Sequence, residues 1–282
     1  MTRHSAVIGA GTMGLGIAYV LAASGDAVTV VEPDAERAAA AAGQLSGVAR
    51  AAVDRGKASA EEADSLVRRI DVVAGVDEVK PGPALMVEAV PERLELKRSV
   101  LRAAEVLGPQ LLASNTSGLS IDALAGALER PDRFLGLHFF NPVWSMPLVE
   151  IVRGAATSEA TVRAARDLTA QIGKQSIVVR DAPGFATSRL GVAIGLEAMR
   201  MLQDGVAGAA DIDRAMELGY RHPMGPLRLT DLVGLDVRLD IARHLAATYG
   251  PRFDPPRILL DKVAAGELGK KTGRGFYEWP AA

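Results

Sequence analysis

Short apolar runs alternate with longer stretches whose apolar positions recur every three to four residues. The short runs read as strands: Ala6-Val7-Ile8, Ala27 to Val31, Asp71-Val72-Val73, Ala84 to Val87, Gln110 to Ala113, Phe134 to Phe140, Leu148 to Val152 and Ser176 to Val179. Helices are predicted between them, notably over 93–107 and over 158–172, the latter closed by Gly173. Pro33-Asp34 starts an Ala-rich helix running towards Arg55-Gly56-Lys57, and Ser59-Ala60-Glu61-Glu62 is a capping-box pattern for a second helix through Ile70. The pair reads as a helical hairpin inserted into an otherwise alternating α/β domain, and the alternation predicts a doubly wound sheet.

Asp181-Ala182-Pro183-Gly184 breaks the pattern. Beyond it only helices are predicted, over 185–204, 211–218 (stopped by Gly219), 227–249 and 256–266, with a Pro/Gly turn at 222–226. The expected organisation is a sheet domain over 1–184 and an all-α domain over 185–282. The helical domain is apolar on several faces, and such a bundle often buries surplus apolar surface against a copy of itself. A homodimer through this domain is the expected assembly.

Gly9-Ala10-Gly11-Thr12-Met13-Gly14 lies between the first strand and the first helix, and the second strand ends on Glu32. A GxGxxG alone is a common Gly-rich turn. Flanked by strand and helix, with an acid at the tip of the next strand, it points to a dinucleotide site. The first Gly permits the tight turn, the second lets a pyrophosphate approach the backbone, and the third lets helix and strand pack closely. Glu32 is then expected to bind both ribose hydroxyls, and its charge would repel a 2′-phosphate. NAD is therefore expected rather than NADP.

Composition narrows the picture by exclusion. The 282 residues are 49% hydrophobic and 23% charged, which describes a globular chain with a substantial core. A net charge of -2 argues against nucleic acid or an anionic membrane as the main partner. The absence of cysteine removes disulfides, thiolate catalysis and Cys-based metal sites, and suits a reducing compartment; the cytoplasm is expected. Residues 2–23 loosely imitate a signal peptide, but the glycines at 9–16 would break the apolar helix one requires. Only four histidines are present, so no metal centre is expected.

Candidate chemistry lies at strand ends. Ser114-Asn115-Thr116-Ser117 follows one strand, His138 lies in the next and Glu150 in the one after. A histidine on an apolar strand is ordinarily a satisfied core residue. A carboxylate on the neighbouring strand opens another reading: it fixes the imidazole tautomer and raises its basicity, so the second nitrogen can take a proton from an alcohol.

The runs Ser114–Ser117, Gly136-Leu137-His138-Phe139-Phe140-Asn141-Pro142 and Leu148-Val149-Glu150 together resemble the L-3-hydroxyacyl-CoA dehydrogenases, most of all the short bacterial 3-hydroxybutyryl-CoA dehydrogenases. Asp181-Ala182-Pro183-Gly184-Phe185, His222-Pro223-Met224-Gly225-Pro226 and Gly269–Tyr277 extend the resemblance over nearly the whole chain. It implies His138 as general base, Glu150 as the residue that orients it, and Ser117 as a hydrogen bond to the reacting oxygen. It further implies NAD contacts at Glu92, Lys97, Ser117, Asn141 and Lys271, the last clamping the cofactor from the helical domain. The CoA phosphates are expected on the hairpin, with Arg50, Arg55 and Lys57 as candidates; a solvated helix face is an equal reading of the three. The family's catalytic Asn three residues after Pro-Gly-Phe is replaced here by Ser188, which can hydrogen-bond substrate directly or through water. A 3-hydroxyadipyl-CoA, a carrier-protein thioester or a free hydroxy acid are alternative substrates, the first with Arg189 or Arg153 on its distal carboxylate. A non-catalytic nucleotide-binding protein is a further alternative.

Overall fold

Eight of the apolar runs pair into one sheet in the order β3-β2-β1-β4-β5-β6-β7-β8. The computed structural model describes residues 2–56 and 58–280. The strands are β1 (His4–Ile8), β2 (Ala27–Val31), β3 (Ile70–Val73), β4 (Leu85–Glu88), β5 (Leu111–Ser114), β6 (Phe134–Phe139), β7 (Leu148–Arg153) and β8 (Gln175–Arg180). β1 to β6 are parallel, β7 runs antiparallel to β6, and β8 is parallel to β7. The order reverses between β1 and β4, and the crevice beyond the carboxyl ends at such a switch is where ligands settle in open α/β sheets.

The helices between the strands are α1 (Thr12–Ala23), α2 (Ala35–Asp54), α3 (Ala60–Val67), α4 (Leu94–Glu105), α5 (Ile121–Ala125) and α6 (Glu159–Gln171). α2 and α3 form the hairpin, and the Ser59–Glu62 capping box is made in both directions. The short α5 was not expected from the sequence; Ser120 caps it by accepting from the Ala123 amide. The core of this unit gathers under β1, β2, β4, β5, β6 and β7, with Val7, Val30, Val87, Ala113, Leu137 and Ile151 all sealed from solvent.

The chain divides into two compact units, the first ending at Ala182 and the second beginning at Pro183. The second is helical: α7 (Thr187–Gln203), α8 (Ala209–Tyr220), α9 (Pro226–Val233), α10 (Leu235–Tyr249) and α11 (Arg257–Ala264). Two expectations are corrected. The helix foreseen over 227–249 is two helices, because Gly234 adopts φ +102° between them. Gly219 does not stop α8, which ends instead on Arg221 in the left-handed conformation. No described helix is long and apolar enough to cross a membrane.

Buried acids explain two of the sequence motifs in this unit. Asp213 accepts from the Leu227 and Arg228 amides at the start of α9 and from the Tyr277 hydroxyl. A Cβ on Gly225 would lie 2.1 Å from the Asp213 Cβ, so the His222–Pro226 turn needs glycine there. Asp231 accepts from the amides of Phe276 and Tyr277 and from Trp279 Nε1, while a Cβ on Gly275 would fall 2.2 Å from its Oδ1. These motifs hold the chain's C-terminal turns onto α8 and α9.

Arg238 on α10 is the odd group of the unit. It is buried, its Nε has no hydrogen-bond partner, and among the described residues it forms no ion pair. Its guanidinium lies over Gly191 of α7, where an added Cβ would come within 3.3 Å of Nη1. Burial holds its pKa below the ordinary arginine value. A buried polar group without a partner costs about 1–3 kcal/mol. Arg238→Met, which keeps the apolar stem, should therefore raise the urea-unfolding midpoint. A lower midpoint would mean that the guanidinium is paired in solution.

Candidate active site

The turn after β1 is built by its glycines. Gly9 adopts φ +105°, and a Cβ on Gly14 would sit 1.8 Å from the Gly9 carbonyl oxygen, so helix and strand can approach only without one. A Cβ on Gly11, by contrast, would meet nothing within 4 Å. Gly9, Gly11, Thr12 and Met13 line a cavity of about 620 Å³ together with Glu32, Arg37, Val76, Ala89, Val90 and Leu96. Open space in front of the second glycine, at the N-terminus of α1, is the cradle a pyrophosphate requires. The residues present thus fit a dinucleotide.

Glu32, at the tip of β2, is almost fully buried and accepts three hydrogen bonds: Ala10 N at 3.1 Å, Asp34 N at 3.0 Å and Arg37 Nη2 at 2.8 Å. Burial pushes its carboxyl up, but these donors, Arg37 foremost, outweigh it and hold the pKa below the ordinary value. Glu32 is therefore charged at neutral pH.

A second cleft, of about 390 Å³, opens beside β4, β5 and β6 and is lined by Met13, Val90, Glu92, Lys97, Asn115, Ser117, His138, Phe139, Phe140 and Asn141. His138 and Glu150 face each other directly across the antiparallel β6–β7 pair. His138 Nδ1 lies 2.7 Å from Glu150 Oε2, and both side chains are buried. A carboxylate only accepts, so Nδ1 carries a proton, and in the neutral ring Nε2 is the acceptor nitrogen. The Phe140 ring packs on the imidazole with centroids 4.5 Å apart. Asn115 Oδ1 accepts from the Phe139 amide at 2.9 Å, tying the β5 loop to the end of β6.

Glu92 and Lys97 line this cleft, but their polar atoms are already engaged. Glu92 Oε1 accepts from the Thr116 hydroxyl and from the Ser117 and Gly118 amides, so it staples the loop that presents Ser117. Lys97 is sealed, donates to both oxygens of Glu88 at 2.8 and 3.0 Å and to the Val90 carbonyl, and stands 3.3 Å from Glu92. Glu88 also accepts from the Ser114 hydroxyl. Glu88 was not foreseen from the sequence, and Ser114, expected in the run after its strand, instead closes β5; the signal available was an acid and a serine closing two adjacent apolar strands.

The remaining candidates lie elsewhere. Arg50 lines a groove between α2 and α3 with Ser46, Asp64 and Arg68. Arg55 is exposed at the end of α2. Lys57 lies outside the described residues. Ser188 is in the first turn of α7, after the positive-φ pair Gly184 and Phe185. Lys271 belongs to the helical unit, where its ammonium is 2.6 Å from both oxygens of Asp236. Among the described residues no group of three or more His, Asp or Glu could hold a metal ion.

Residues 4–182 match the family model of the 3-hydroxyacyl-CoA dehydrogenase NAD binding domain, and residues 184–279 match that of the 3-hydroxyacyl-CoA dehydrogenase C-terminal domain. The chain belongs to the 3-hydroxyacyl-CoA dehydrogenase family, and its sheet unit is an NAD-binding domain. It is 39% identical over 279 residues to a 3-hydroxybutyryl-CoA dehydrogenase of Bradyrhizobium diazoefficiens, covering 98% of this chain and 95% of that one. It is 40% identical over 280 residues to the 3-hydroxyadipyl-CoA dehydrogenase of Escherichia coli, covering 98% of this chain and 59% of the relative. The crystal structure of an (S)-3-hydroxybutyryl-CoA dehydrogenase from Ralstonia eutropha superposes with a TM-score of 0.94 at 36% identity, over the full length of both chains.

Proposed function

We propose that this chain catalyses the reversible, NAD-dependent oxidation of an (S)-3-hydroxyacyl-CoA to the 3-oxoacyl-CoA, with 3-hydroxybutyryl-CoA as the substrate. The observation that carries the reading is the buried His138–Glu150 pair in a cleft that Met13 joins to the glycine turn. Bound NAD supplies the acceptor for the hydride that leaves C3. His138 Nε2 takes the hydroxyl proton as the hydride departs, and in reverse His138 returns it. Glu150 holds the ring in the required tautomer and stabilises the imidazolium that forms.

Ser117, held by Glu92 through its own amide, hydrogen-bonds the reacting oxygen. Ser188 takes the place of the family's Asn as a second polar contact. Asn141 contacts the cofactor from the end of β6; Lys271, the further cofactor contact that the family resemblance implies, is paired with Asp236. Arg50 and Arg55 offer charge to the CoA phosphates. A homodimer through the helical unit is supported by its exposed apolar side chains, among them Leu190, Leu218 and Leu232.

The arginines considered for a distal carboxylate are otherwise employed: Arg153 pairs with Glu159, and Arg189 stacks over Tyr249 at 4.0 Å. This disfavours a dicarboxylic substrate. The test is a reductive assay with NADH across acetoacetyl-CoA, longer 3-oxoacyl-CoAs, 3-oxoadipyl-CoA and the free acids. Acetoacetyl-CoA should give the highest kcat/KM. Turnover of the free acids alone, or of none of these compounds, would overturn the proposal.

A further inference from the structure

The cavity in front of the glycine turn has two charged residues in its described wall, Glu32 and Arg37, and they are paired with each other. Arg37 sits in the first turn of α2, with its side chain about 62% exposed and its Nη2 2.8 Å from Glu32 Oε1. A carboxylate offers about four acceptor directions. Three are used: Asp34 N and Arg37 Nη2 on Oε1, and Ala10 N on Oε2. A ribose diol gripped by this carboxylate needs two. The Ala10 and Asp34 donors are backbone amides fixed by the turn and by the start of α2. The mobile donor is Arg37.

We infer that Arg37 sets the cofactor selectivity of this chain: its guanidinium masks the charge of Glu32, yields one acceptor when a free ribose diol binds, and pairs with a 2′-phosphate when one is present. The inference rests on Glu32 being the ribose-binding acid. A bare carboxylate at this position rejects a 2′-phosphate by repulsion. A carboxylate neutralised by a guanidinium rejects it much less, and that guanidinium supplies the geometry that a phosphate prefers. The exposed side of Arg37 lets it swing from Glu32 to an incoming anion without breaking other hydrogen bonds of its side chain. Asp34 beside it accepts from the Arg37 backbone amide, so it stays in place while the side chain moves.

The test is direct binding, without acyl substrate. Isothermal titration of wild type, Arg37→Ala, Glu32→Gln and the double variant is made with NADH, NADPH, 5′-AMP and 2′,5′-ADP. Arg37→Ala should weaken NADPH and 2′,5′-ADP by at least tenfold while NADH and 5′-AMP stay within about threefold, so selectivity for NADH widens. Glu32→Gln should strengthen NADPH and 2′,5′-ADP by at least tenfold, and the double variant should lose that gain. Equal changes for both cofactors in Arg37→Ala, or a Glu32→Gln gain that survives removal of Arg37, would overturn the inference. Because no acyl-CoA enters the measurement, its outcome is separate from that of the substrate assay.

Discussion

A His138→Gln variant is expected to lose roughly 100- to 10,000-fold in kcat, the range that a positioned general base contributes. Glutamine fills a similar volume and can still donate towards Glu150, so the β6–β7 ladder and the Phe140 contact should persist. It has no group that accepts a proton at neutral pH. NADH affinity should stay near that of wild type, because the glycine turn and Glu32 line a different cavity from His138. Steady-state rates with acetoacetyl-CoA and a fluorescence titration with NADH check the two halves separately. Near-normal turnover would remove His138 from the chemistry; a parallel loss of NADH binding would make it structural.

The largest effect on stability is expected from Lys97→Met. Lys97 and Glu88 are both sealed from solvent, and removing one partner of such a pair typically costs about 3–5 kcal/mol. Burial pushes the Glu88 carboxyl above its ordinary pKa, and Lys97 is the strongest influence pulling it back. Without the lysine, Glu88 is left as a desolvated charge or forced to take a proton. The double variant Glu88→Leu/Lys97→Met should recover most of the loss, since a matched apolar pair carries no desolvation cost. Urea unfolding of the two single variants and the double variant measures both terms. If Lys97 served only as a cofactor contact, Lys97→Met would weaken NADH while leaving the unfolding midpoint in place.

Where the glycine turn, Glu32, His138 and Glu150 lie could be read from the chain because each is tied to the end or the register of a strand, and short apolar runs mark strands well. Glu92 and Lys97 were visible as polar residues of interest, but not as a staple and a buried ion pair. Thr116 is 24 residues from Glu92, and Glu88, though only nine residues before Lys97, closes β4 while Lys97 lies on α4, so no local pattern reports either contact. The same holds for Asp213 and Asp231, whose partners lie up to 64 residues away. The break at Gly234 was missed because helical periodicity continues on both sides of it, and a lone glycine inside a helical pattern is usually tolerated. Arg37 lay in a predicted helix start, and nothing in the sequence marked its guanidinium as a partner of Glu32.

The sheet has one antiparallel joint, and that joint holds His138 opposite Glu150. The two side chains meet because they are rungs of the same ladder, twelve residues apart on a single up-and-down excursion of the chain. Their separation therefore does not depend on the loop between them, which can change length while the pair stays matched. It depends wholly on strand alignment. Inserting one residue within β6 ahead of His138, with the earlier rungs held, would turn its ring to the opposite face of the sheet and disconnect it from Glu150 at a stroke. The pairing of His138 with Glu150 thus tolerates edits to the connecting loop far better than edits to either strand.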